Sequence, residues 1–65
     1  MQKHWLEHVE TSRNKIQNVS NNLQEIVSFT DLEPMTHVEL LNLIDVCDNL
    51  VTHLNAIIVK EKTNV

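Results

Sequence analysis

The sequence predicts an all-α protein: two helices folded back as an antiparallel, coiled-coil-like hairpin. Three observations predict it. There is no glycine and only one proline, Pro34, so the tight turns that join β-strands lack the residues suited to them. Apolar residues recur at helical spacing along almost the whole chain, and strand-type alternation is missing. A helix start signal lies just past the middle, beside Pro34.

The first helix is expected from about residue 2 to residue 27. Trp5, Val9, Ser12, Ile16, Val19, Leu23 and Ile26 follow one another at alternating steps of four and three, the spacing of a heptad seam. Projected at 100° per residue they form a stripe roughly 100° wide, the least a packed helix needs. Ser12 interrupts it, either fixing register as polar seam residues can or sitting beside a small gap opposite Leu54. Trp5 is expected to close the open end of the hairpin against Leu54, Ile57 or Ile58, with an exposed interface anchor as its other reading. Phe29 is expected to plug the turn end near Leu32, Met35 and Leu40.

The second helix is expected over about residues 36–61, after a connection over 28–35. Thr36-His37-Val38-Glu39 reads as a capping box, with Met35 and Leu40 placed for a hydrophobic staple. Pro34 favours an extended Glu33. Thr30-Asp31-Leu32-Glu33 matches a second capping box and leaves room for a short extra turn. Lys60 and Lys62 suit the helix C-terminus. So short a connection makes the two helices antiparallel neighbours.

This second helix is more apolar than one neighbour requires. Leu40, Ile44, Cys47, Val51, Leu54 and Ile58 form a seam, and Leu43, Val46, Leu50 and Ile57 run beside it. Together they span an arc of roughly 160° at 100° per residue. Fourteen of the 22 residues from Val38 to Val59 are apolar. The first helix can cover one stripe, so Leu43, Val46, Leu50 and Ile57 are the expected partner-binding residues, with Trp5 a candidate anchor. The partner is a homodimeric copy, a helical surface of another protein, or both.

Size points the same way. A 65-residue chain has room for one domain, whose core alone supplies roughly 3–5 kcal/mol. A single cysteine, Cys47, precludes an intrachain disulfide, which leaves association to complete the fold. Mid-helix on a seam, Cys47 reads as an inert packing residue.

Composition sets aside several classes. The net charge is −4 and the five basic residues sit towards the two ends of the chain, so no stripe of lysine and arginine faces a phosphate backbone or an anionic membrane. Val38 to Val59 carries Glu39, Asp45, Asp48 and His53, too polar for a membrane span. The segment from Met1 is polar and lacks a signal-peptide pattern, and a cytoplasmic location is expected.

His4-Trp5-Leu6-Glu7-His8 spells H-x-x-E-H, the pattern of inverted zinc peptidases. A catalytic zinc needs a third ligand, a supporting shell and a water-excluding cleft, and a two-helix chain offers none of these. The histidines therefore read as solvated, as do His37 and His53. No catalytic residue, metal, cofactor, nucleic acid or small-molecule substrate is expected, and the chain does not read as an enzyme.

Leu6-Glu7-His8-Val9-Glu10-Thr11-Ser12-Arg13, the Gln/Asn-rich helix after it, and Asn49-Leu50 with Leu54-Asn55-Ala56-Ile57-Ile58 resemble the small E-type co-chaperones of bacterial type III secretion. That resemblance implies a helical hairpin that pairs with a helical-repeat chaperone and helps keep a needle subunit soluble. The connection Leu32-Glu33-Pro34-Met35 departs from it. In shape the chain is also similar to Rop, a hairpin that dimerises into a four-helix bundle, without the basic face Rop uses on RNA. A third reading is a small regulatory or phage-type inhibitor docking on a regulator or polymerase subunit.

Overall fold

The computed structural model describes residues 4–63, and within them the chain is an all-α hairpin of two helices. Helix α1 is His4–Val27 and helix α2 is Pro34–Thr63. The expected start of the first helix at residue 2 lies outside the described residues. The molecule measures 52 × 14 × 12 Å with a radius of gyration of 15.3 Å. A globule of this length would have a radius of about 11 Å, so the hairpin is a rod, two helices wide and one helix thick.

Helix α1 ends without glycine. Ser28 N donates to Glu25 O at 3.2 Å and Phe29 N to Ile26 O at 3.1 Å, while Ser28 Oγ reaches Glu25 O at 2.6 Å. These three-residue-back bonds tighten the last turn and satisfy carbonyls that would otherwise be left open. Among the described residues none has a positive φ, as expected where no glycine is present.

Helix α2 begins two residues earlier than the capping box suggests. His37 N donates to Glu33 O at 2.9 Å, which makes Glu33 the residue before the first turn and places Pro34 at its first position. Proline suits that place because it has no amide hydrogen to satisfy and its φ is already helical. Thr36 is therefore inside the first turn and does not cap it. Nor does Thr30 start a helix; residues 28–33 form the connection, with turns but no helical segment. At the far end Thr63 Oγ1 donates to Val59 O at 2.8 Å and to Lys60 O at 3.2 Å, and the helix runs two residues past the expected Glu61.

The seam of α2 follows the sequence pattern. Ile44 and Ile58 are 8% and 5% exposed, and Leu40, Cys47, Val51 and Leu54 are half-buried. The seam of α1 does not. Trp5, Ser12, Val19 and Ile26 are exposed, whereas Leu6, Arg13 and Val27 are half-buried and Ser20 is fully buried, alongside Val9, Ile16 and Leu23. The inward face of α1 is thus turned by roughly 50° at 100° per residue from the frame its apolar residues suggest, with Val9, Ile16 and Leu23 common to both.

The cause is polar. Arg13 and Ser20 both find partners on α2: Arg13 Nη1 donates to Asn55 Oδ1 at 2.9 Å, and Ser20 Oγ donates to Asp48 Oδ1 at 2.9 Å. Arg13 and Ser20 are one heptad apart, as are Asn55 and Asp48, so the two bonds set one antiparallel register. Ser20 also accepts from Gln24 Nε2 at 3.3 Å. No buried side-chain nitrogen or oxygen among the described residues lacks a partner, which removes the usual penalty for polar groups in a seam.

Two further expectations change. Phe29 is 61% exposed; its amide is tied back to the end of α1, and Leu32 is the residue of the connection that is half-buried. His37 is also half-buried, lying one heptad before Ile44 on the α2 seam.

Candidate interaction surface

With the seams fixed, the handedness of two antiparallel α-helices determines which flanking stripes share a side of the rod. Glu10, Gln17 and Gln24 of α1 share one flank with Leu41, Asp48, Asn55 and Lys62 of α2. Three cross-helix polar bonds lie here: Ser20 to Asp48, Arg13 to Asn55, and a Lys62 Nζ to Glu10 Oε1 ion pair at 2.9 Å. Asn14 Oδ1 accepts from Arg13 Nε and Nη2 at 3.2 and 3.1 Å, orienting the guanidinium. One of the seven residues on this flank, Leu41, is a large apolar side chain.

The opposite flank is its inverse. Trp5, Ser12, Val19 and Ile26 of α1 lie beside Thr36, Leu43, Leu50 and Ile57 of α2, and six of these eight are large and apolar. Val46 stands just outside them on the same side. Trp5, Leu50 and Ile57 are 47%, 45% and 40% exposed, and Val19, Leu43 and Val46 are about as open. At 1.5 Å per residue the stripe from Trp5 to Ile26 extends over about 31 Å.

Leu43, Val46, Leu50 and Ile57, singled out from the sequence, therefore lie exposed on a single face. Trp5 lies on that same face rather than closing the hairpin. Val19 and Ile26 complete it, and the sequence pattern had assigned both to the seam. The signal that could have found them was the alternative heptad frame Leu6, Val9, Arg13, Ile16, Ser20, Leu23, Val27, which has the same spacing and two polar members. The charged residues bordering the apolar face are sparse: Lys15 beside α1, and Glu39 and Lys60 beside α2.

His4, Glu7 and His8 are exposed on the first turns of α1. Among the described residues no group of three or more His, Cys, Asp or Glu could hold a metal ion. Cys47 is free and half-buried on the seam. No helix of the described residues is long and apolar enough to cross a membrane. No protein-family model, curated protein or solved structure matches the chain.

Proposed function

We propose that this chain is a non-enzymatic protein-interaction module that associates with a helical surface through its apolar face. One observation carries the reading. Helix α1 turns Arg13 and Ser20 into the seam and leaves Trp5, Val19 and Ile26 outside, beside Leu43, Leu50 and Ile57. A hairpin that had to stand alone would gain from the reverse choice, since burying a side chain of this size stabilises by about 1.5–3 kcal/mol. Contiguous apolar surface on one side of a small rod is the usual mark of an interaction site. Helical grooves receive helices through anchors at this kind of spacing. The resemblance to E-type co-chaperones supports a finer form of the proposal, in which the protein helps keep an aggregation-prone helical subunit soluble.

Two adjacent residues test it. Leu50 lies on the exposed face and Val51 on the seam. Leu50→Asp should abolish association and keep the helix content, while Val51→Asp should unfold the hairpin, as read by circular dichroism and sedimentation. Equal unfolding by both would make the face part of the core and overturn the proposal.

A further inference from the structure

Resting on the reading of this face as a binding surface, we infer that its occupant is a second copy of this chain, packed face to face with the two turns at opposite ends. Area is the first support. The chain exposes 5222 Å², whereas a compact monomer of 7.6 kDa exposes about 4,300 Å². The excess, about 900 Å², comes from the rod shape and leaves room for the ~800 Å² each partner contributes to a stable interface.

Register is the second support. The Arg13–Asn55 and Ser20–Asp48 bonds bring Val19 level with Leu50, near the middle of the rod. A two-fold axis across the rod at that level places Val19 against Val19 of the copy and Leu50 against Leu50. It then sets Leu43 against Ile57 of the copy, and Ile26 against Ser12. The break in the apolar stripe at Ser12, without a role inside the hairpin, becomes the space that takes a large side chain. Trp5, at the open end of one copy, comes level with the turn of the other, where Phe29 and Met35 stand 61% and 74% exposed.

Charge selects this arrangement over its alternative. Glu39 and Lys60 share the outer stripe of α2 with Val46 and His53. Turns at opposite ends put Glu39 of each copy beside Lys60 of the other. Turns at the same end would put Lys15 level with His53 of the copy and Lys60 level with His8, and would set Glu39 level with Phe29, so that none of the three meets an opposite charge. Opposite charges placed across an interface fix its register, and the Glu39–Lys60 pairs form with the turns at opposite ends. The pairing is isologous, as closed two-fold dimers require.

Single cysteines placed on the full chain in a Cys47→Ala background test the inference. Leu50→Cys should cross-link to itself under mild oxidation. Leu43→Cys should not do so alone, but should when mixed with Ile57→Cys. Ser12→Trp, at an exposed position, should keep the helix content and weaken dimerisation about tenfold or more in sedimentation equilibrium. A chain that sediments as a monomer at micromolar concentration overturns the inference, as does Leu43→Cys cross-linking alone while Leu50→Cys does not. A monomer would leave the broader binding reading standing, because that reading falls on the separate outcome that Leu50→Asp and Val51→Asp unfold the chain alike.

Discussion

Ser20 and Asp48, 28 residues apart in sequence, meet across the hairpin with Ser20 Oγ donating to Asp48 Oδ1 at 2.9 Å. Ser20 is the one described residue with no exposed surface, while Asp48 faces solvent. A small hydroxyl at the seam lets the helices approach, and its bond to a carboxylate ties the approach to one register. Ser20→Ala should therefore cost about 1 kcal/mol, the net worth of such a bond, and Asp48→Ala a similar amount. Because both remove the same contact, the double variant should cost clearly less than the sum. Urea unfolding of the four proteins measures this, and strict additivity would mean the bond contributes nothing.

Leu6 and Trp5 are neighbours in sequence that face different ways. Leu6→Ala should destabilise the hairpin by about 1–2 kcal/mol, below the 2–5 typical of fully buried sites, since Leu6 is half-buried. Trp5→Ala should leave hairpin stability nearly unchanged and weaken association instead. Thermal unfolding set beside sedimentation separates the two; a larger stability loss at Trp5 would return it to the seam.

Thr36 lies inside the first turn of α2, after Pro34 and Met35. Losing a true cap costs typically about 1 kcal/mol, so Thr36→Ala should cost well under that. A full capping loss on denaturation would place the helix start at Thr36 after all.

His4 and His8 are exposed, with no third ligand among the described residues. His4→Ala combined with His8→Ala should change neither helix content nor association. Stoichiometric zinc in untagged protein, or loss of helicity with a chelator, would contradict this.

Helix α2 was legible from sequence because its seam is apolar from Leu40 to Ile58, as is the stripe beside it from Leu43 to Ile57. Leu40, Ile44, Cys47, Val51, Leu54 and Ile58 all turn inward, and Leu43, Val46, Leu50 and Ile57 stay out. Helix α1 offered two frames that share Val9, Ile16 and Leu23. Counting apolar residues favours the one with Trp5, Val19 and Ile26. The chain uses the other, because Arg13 and Ser20 are matched by Asn55 and Asp48, 42 and 28 residues away. Local periodicity carries no record of partners at that distance. The start of α2 was misplaced for a more local reason: a capping-box pattern competed with a proline already shaped for the first turn, and the proline prevailed.

The bonded flank of the rod also limits how far assembly can go. Glu10, Gln17, Gln24, Asp48, Asn55 and Lys62 line the side opposite the apolar face with Leu41 among them, and each of these polar groups bonds to another side chain. A helical rod greasy on both sides would stack without end, since each addition exposes a fresh adhesive surface. On the pairing proposed above, the first addition covers the longer apolar face and leaves a mostly polar back, where Val38, Leu41 and Val59 stand exposed among polar neighbours. On that pairing, the molecule would act as a stopper, saturating after a single union instead of templating a filament.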